Sequence, residues 1–355
     1  MGIKSIEIKN FKSIKDSGIV TLSNINVLIG ANGAGKSNFV EFFELLKNIS
    51  TKNLQDYVLK NGGADYILHF GRNTSSEMSG RILFDNEYQN EYMFELKSDN
   101  QDRLYLAREQ SNTKDNPYEE VNLGSETKLL QDHAPICNQF LSNYLKSLRI
   151  YHFNNTSFSA KMKLTCHIGD YAYLYEDGSN IAAMLYRFKS QYQKDYNILL
   201  HIIKSVAPFL EDFYVEPNEK NKETTILRWI EKGRIFYGSA LSDGTLRFIC
   251  LATLLLFPEK PETIILDEPE LGLHPFAIES FAELIKMASS ESQIIITTQS
   301  TELINHLDIE NIIVVKRENG ETTLHRQKEE ELNQWLEDYS IADVWKNNII
   351  GGTPL

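Results

Sequence analysis

Positive charge is in short supply in this sequence. Its 36 lysines and arginines face 49 aspartates and glutamates, a formal net charge of −13. Such a surface repels a polyanion on average, so nucleic acid is possible as a partner only through a local basic patch or a basic helper protein. Cysteine is scarce. Cys137, Cys166 and Cys250 lie far apart in no C-x-x-C spacing. That excludes a disulfide framework or zinc cluster and fits a reducing cytoplasm. The eight histidines show no metal-ligand spacing. The longest apolar run, Phe248 to Phe257 (FICLATLLLF), falls short of the ~18 residues of a membrane span. It fits a buried helix, and no membrane association is expected. The opening MGIKSIEIKNF alternates as a strand does and lacks a signal-peptide pattern, so secretion is not expected. The same alternation makes Gly2 a strand residue rather than a myristoylation site. Heptads, internal repeats and low-complexity linkers are missing too, so no long coiled coil is expected.

What remains is enough to fold. The chain has 355 residues, 42% of them hydrophobic, sufficient for a large core and roughly two to three domains. Strand patterns open it at Ile3, Ile6 and Ile8, then GIVTL, then INVLIG. A helix follows from about Ser37, with Phe39, Val40, Phe43, Leu45 and Leu46 on its apolar side. Residues 77–125 alternate and are broken by Asp-Asn turns, which predicts an antiparallel β lobe. Residues 126–240 read as a mainly helical insertion returning to the first unit, with strands near LRIYHF, TTILRWI and RIFYG. After Leu241 helices and strands alternate closely, which implies a parallel sheet covered on both faces. The expected organisation is α/β. An N-terminal part (1–76) and a C-terminal part (241–327) of one unit flank the β lobe and the insertion. A helical tail (328–355) follows, and its charge run KEEELNQWLED reads as a solvated helix face.

Two stretches carry chemistry. Residues 30–37, GANGAGKS, have the form G-x-x-x-x-G-K-S between a strand and a helix, the context a phosphate-binding P-loop requires. Gly30, Gly33 and Gly35 let consecutive N–H groups converge on phosphate oxygens. The helix N-terminus adds partial positive charge. Lys36 would reach the β- and γ-phosphates and Ser37 would ligate Mg²⁺. The expected ATP-binding set is Gly30, Asn32, Gly33, Ala34, Gly35, Lys36, Ser37 and Asn38. The plain alternative is a glycine-rich turn capped by Ser37. The second stretch, TIILDEPELGLHP (263–275), runs from an apolar strand into Asp267, Glu268 and Glu270. Asp267 is the expected second Mg²⁺ ligand. Glu268, pointing the other way by the pleat, is the expected catalytic group that polarises water. Glu270 receives no role.

Between them, LSDGTLRF places Ser242 as a good helix N-cap. In this order GANGAGKS, LSDGTLR, IILDEPELGLHP and QIIITTQS resemble the ATP-binding-cassette ATPases, and within them the branch holding SMC, RecF and OLD proteins. YHFNNTSFSAKMK, DGSNIAAMLYRF and WKNNIIGGTP are similar to small stand-alone bacterial ATPases of AAA type from that branch, many associated with phage defence. The resemblance implies a P-loop NTPase head that closes as a head-to-tail homodimer, or a higher even oligomer, around two ATP molecules. Ser242 and Gly244 of one chain would cap the γ-phosphate held by Lys36 of the other, and Leu271 to Pro275 would cross the interface.

The sequence departs from that pattern in three ways. At the switch position, usually histidine, it has Gln299, which can hydrogen-bond the γ-phosphate or water but cannot carry a proton charge. Slow or partner-dependent hydrolysis is therefore expected. The Q-loop residue is not evident; His69 and Arg72 in LHFGRN are candidates, an ordinary strand-end loop the alternative. After the switch strand, no acidic cluster on successive strands is seen to build a Toprim-type nuclease. Lys161 and Lys163 could touch phosphate or belong to a solvated loop. The reading is an ATPase switch that controls a separate effector, a nuclease or toxin, in anti-phage defence. The other reading is a DNA-binding repair ATPase resembling RecF.

Overall fold

The computed structural model describes residues 2–353 apart from 115–118, 122–123, 131–135 and 158. The side chain of Cys137 and residue Pro354 of the tail motif lie outside the described residues.

The first strands are β1 (Gly2–Phe11), β2 (Ile14–Thr21) and β3 (Ile25–Ile29). Helices α1 (Lys36–Ser50), α2 (Leu54–Lys60) and α3 (Ala64–Ile67) follow. Next come β4 (Glu77–Asp85), β5 (Glu91–Ser98), β6 (Leu104–Asn112), β7 (Glu119–Val121), α4 (Ile136–Ser147) and β8 (Ile150–Tyr151). Short strands β9 (Cys166–His167), β10 (Asp212–Phe213) and β11 (Thr224–Thr225) and the hairpin β12 (Arg228–Glu231) and β13 (Arg234–Tyr237) surround helices α5 (Ile181–Gln191) and α6 (Gln193–Val206). The chain then runs α7 (Asp243–Leu256), β14 (Thr263–Asp267), α8 (Pro275–Ala288), β15 (Gln293–Thr298) and α9 (Thr301–Asn305). It closes with β16 (Ile312–Glu318), β17 (Glu321–Arg326), α10 (Glu329–Leu336) and α11 (Ile341–Lys346).

Two six-stranded sheets organise these elements. One has the order β2-β1-β4-β5-β6-β7 and is antiparallel throughout. The β lobe is therefore continuous with β1 and β2. The other has the order β17-β16-β3-β15-β14-β8. It is parallel from β16 to β8, with β17 added antiparallel. Strand β8 comes from the segment read as a helical insertion, yet it forms the edge beside β14.

The strands of the second sheet are near-continuous apolar runs because both of their faces are covered. Successive side chains alternate between two cores. Ile264 and Leu266 point into one, with Phe248, Leu251 and Phe281 from α7 and α8. Ile265, Ile295 and Ile313 point into the other, with Phe39, Phe42 and Phe43 from α1 and Ile3, Ile6 and Ile8 from β1. Helix α1 thus lies between the two sheets. Its apolar face of Phe39, Val40, Phe42, Phe43, Leu45, Leu46 and Ile49 is buried, and the P-loop at its start is held from both sides.

Candidate active site

The P-loop joins β3 to α1. Gly33 and Gly35 take φ of 75° and 110°, the left-handed region that glycine enters freely. Gly30 has no such angle. Its small size is required by contact, since a Cβ there would stand 2.2 Å from the Val315 carbonyl oxygen. The expectation that all three glycines serve the bend holds for two; Gly30 serves packing. Gly35 occupies the cap position of α1 with no side-chain cap, so Ser37 is not the cap. Ser37 and Asn32 are exposed, and Ala34 is buried.

Three segments brace this loop. Thr322 of β17 donates to the Ala34 carbonyl at 2.8 Å. Ser13, in the turn between β1 and β2, accepts from Asn38 Nδ2 at 2.5 Å and lies 2.7 Å from the Thr322 hydroxyl. From the far end of the chain, the Gly352 carbonyl accepts the Ala31 N–H at 2.7 Å. Sequence reasoning missed all three; only the resemblance of WKNNIIGGTP hinted that the tail matters.

Lys36 is buried, and its Nζ donates to the Gly30 and Ala31 carbonyls at 2.7 and 3.2 Å. Burial pulls its pKa down, while Glu268, Asp267 and Glu270 push it up. The phosphate loop and the acidic turn, 231 residues apart between Lys36 and Asp267, therefore share one electrostatic environment.

The acidic turn is gripped by the end of the neighbouring strand β15. Thr297 Oγ1 donates to Asp267, Thr298 Oγ1 donates to Glu270, and Gln299 Nε2 donates to Glu268 Oε1 at 2.5 Å. Glu268 corrects the pleat argument. It lies beyond the end of β14 with φ 45°, so a left-handed turn aims its side chain, not strand alternation. Its N–H donates to the Thr297 carbonyl at 3.0 Å. Glu270 is buried, and one oxygen has no partner. Burial raises its pKa, opposed mainly by the Thr298 hydroxyl.

His152, just past β8, places Nδ1 3.5 Å from Asp267 Oδ2. It follows the parallel strand beside β14; the sequence marked YHFNNTSFSAKMK only by its resemblance and gave His152 no role. His69 is buried with Nδ1 2.7 Å from the Lys12 carbonyl oxygen, and Arg72 pairs with Asp65 and Asp102 at 3.3 and 3.0 Å. Lys161 pairs with Asp177 at 3.1 Å, and Lys163 donates to the Thr156 carbonyl at 2.6 Å.

Ser242 caps α7, its hydroxyl accepting the Thr245 N–H at 3.2 Å. Among the described residues, no hydrogen bond joins Ser242 or Gly244 to Lys36, Asp267 or Glu268. Gly244 lies against the loop 271–275; a Cβ there would stand 2.4 Å from the Gly272 carbonyl oxygen. Buried Arg247 ties α7 to the chain after β8, donating to the Phe153 and Asn154 carbonyls at 3.0 and 3.4 Å. Leu271 and Phe276, flanking this turn, are 44% and 49% exposed.

The donor set fits Mg-ATP. A left-handed glycine cradle opens at Gly33, where a Cβ would meet nothing within 4 Å. One exposed hydroxyl and one carboxylate match the few protein ligands Mg²⁺ takes beside phosphate oxygens.

A P-loop after an interior strand of a mainly parallel sheet, with an acidic turn ending the parallel strand two places along, is the arrangement of a P-loop NTPase of SMC-head type. The solved SMC head bound to the C-winged helix domain of ScpA has this fold. It shares 16% identity, with 94% of this chain and 100% of that chain covered and a TM-score of 0.62. The SMC head with an extended coiled coil from Pyrococcus furiosus, bound to the C-terminal domain of ScpA, shares 14% identity at a TM-score of 0.59, over 95% and 99% of the two chains. Residues 25–305 match the family described as "AAA domain, putative AbiEii toxin, Type IV TA system", and this chain belongs to it. No curated protein matches the sequence.

Proposed function

We propose that this protein is an ATP-binding and -hydrolysing switch that closes as a homodimer and controls a separate effector, a nuclease or toxin, in bacterial anti-phage defence. The observation that carries the reading is that the P-loop after β3 and the acidic turn after β14 leave the same end of one parallel sheet, separated only by β15, with Lys36 in the field of Asp267 and Glu268. A buried lysine at a glycine cradle, with carboxylates on the neighbouring turn, suits a polyphosphate and its metal.

In this reading Lys36 releases the P-loop carbonyls and holds the β- and γ-phosphates. Ser37 and Asp267 hold Mg²⁺, which supplies charge neutralisation when bound. Asn32, Gly33, Ala34 and Gly35 present backbone N–H groups, and Asn38 keeps the loop on Ser13. Glu268 accepts the proton of the attacking water, and Gln299 orients both. His152 is an additional polar group at Asp267. Ser242 and Gly244, without a partner at Lys36 in their own chain, cap the γ-phosphate of a second copy through the free N–H groups of α7. Nucleotide binding and dimerisation are then one coupled equilibrium. The family description, which names a putative toxin of a Type IV TA system, supports a role in defence. Both SMC heads were solved with a domain of ScpA, which supports a protein partner for this fold.

Light scattering with Mg-ATP tests the proposal. Glu268→Gln should accumulate a dimer, and Lys36→Ala should remain monomeric without binding ATP. A Glu268→Gln variant that hydrolyses at the parent rate removes Glu268 as the base. ATP-strengthened, salt-dependent DNA binding by the parent would favour the RecF-like reading instead.

A further inference from the structure

Glu270 is the one carboxylate of the acidic turn without an assigned use, and its surroundings are costly. It is 6% exposed. One oxygen accepts the Thr298 hydroxyl, and the other has no partner. A buried carboxylate with an unpaired oxygen is destabilising where packing alone is wanted, because an apolar side chain fills the same space without a desolvation cost.

The Thr298 hydroxyl is committed twice. It donates to Glu270 and accepts the Ser300 N–H at 2.9 Å. Gln299 lies between these two residues. Through the Thr298 hydroxyl, Glu270 therefore holds the backbone on both sides of Gln299, and the Gln299 side chain projects from that clamp onto Glu268 Oε1. The Glu270 carbonyl accepts the Leu273 N–H at 3.0 Å, so the clamp sits at the root of the loop that packs on Gly244.

We infer that Glu270 is a positioning residue whose carboxylate fixes Gln299 on Glu268 through Thr298. This rests on the reading of Glu268 as the water-activating base. The carboxylate itself touches no substrate. Its essential feature is an oxygen that accepts the Thr298 hydroxyl. Its negative charge is dispensable.

Four variants test this: Glu270→Ala, Glu270→Gln, Thr298→Val and the double Glu270→Ala/Thr298→Val. Two readouts are needed, the kcat and KM of ATP hydrolysis and the side-chain amide signal of Gln299 in protein labelled with 15N-glutamine. Gln299→Leu identifies that signal. Glu270→Ala and Thr298→Val should each lower kcat by about tenfold, and the double variant should be no worse than the weaker single, as one network requires. ATP affinity should stay within about twofold, because positioning of a switch side chain is not ground-state binding. Glu270→Gln should keep the parent kcat, since its amide oxygen still accepts from Thr298. The Gln299 signal should move in Glu270→Ala and hold in Glu270→Gln. Parent kcat and an unmoved signal in Glu270→Ala overturn the inference, as do losses that multiply in the double variant. Should Glu268→Gln hydrolyse normally, the base assignment fails while the Gln299 signal still reports whether Glu270 positions it.

Discussion

Gln299 Nε2 donates to Glu268 Oε1 at 2.5 Å, across the gap between the ends of β15 and β14. A neutral amide beside a carboxylate can steer it but cannot relieve its charge, as a protonated histidine would. Gln299→Leu removes the donor and leaves the carboxylate aimed only by its backbone. Its kcat should fall by roughly tenfold or more, the scale of a lost acid–base alignment. ATP affinity should be unchanged in a direct titration. Equal loss in kcat and affinity would instead make Gln299 a nucleotide-binding residue.

Glu268 itself sits at φ 45°. A left-handed conformation costs a residue with a Cβ about 1–2 kcal/mol, and glycine avoids most of that cost. Glu268→Gly should therefore abolish hydrolysis while making the fold no less stable, with a urea midpoint at or above the parent's. A clear fall in that midpoint would show that the contact to Gln299 outweighs the strain. Strain held at a site of chemistry is the pattern expected where function sets the geometry.

The two chemical stretches were legible in the sequence because their signals are local. GANGAGKS dictates a strand, a turn and a helix within a short span, and TIILDE dictates a buried strand that ends in charge. The parallel sheet followed from the helix–strand alternation after Leu241. What stayed hidden depends on long-range register. Nothing in YHFNN says that β8 pairs beside β14 and sets His152 next to Asp267. Nothing in ENGETT says that Thr322 reaches the Ala34 carbonyl. Glu270 read as a surplus charge because its partner Thr298 is supplied by the next parallel strand. The separateness of the β lobe was suggested by its change in pattern, but β1 pairs directly with β4, a contact that no window of sequence contains.

Gly244, in the first turn of α7, packs on the loop 271–275. A Cβ there would approach the Gly272 carbonyl oxygen to 2.4 Å, and a backbone oxygen cannot swing away as a side chain does. Gly244→Ala must push that loop outward. Overpacking of this kind costs about 1–3 kcal/mol. The expected outcome is a lower unfolding midpoint together with a weaker ATP-dependent dimer in the Glu268→Gln background. A destabilised chain that still dimerises as tightly would confine Gly244 to packing.

The tail gives the last prediction. The Gly352 carbonyl accepts the Ala31 N–H at 2.7 Å, so a P-loop amide is held by residues at the other end of the chain. Gly351 and Gly352 take φ of 76° and 82°, and a Cβ on Gly352 would stand 2.7 Å from Val314 Cγ1. The approach is therefore specific to glycine. Helix α11 anchors the segment, with Trp345 buried and the Ala342 N–H donated to Asn305 Oδ1 at 2.9 Å. Removing residues 348–355 should leave that helix in place and free the Ala31 amide. Hydrogen exchange at Ala31 should then quicken while the interior of β3 stays protected, since local opening and global unfolding are separate events. Losing one neutral hydrogen bond from a preorganised loop is worth about 1 kcal/mol, which predicts an ATP affinity roughly fivefold weaker. Gly352→Val should reproduce both effects without shortening the chain. If Ala31 exchanges at the parent rate in both variants, the tail does not hold the P-loop, and Thr322 and Ser13 alone brace it.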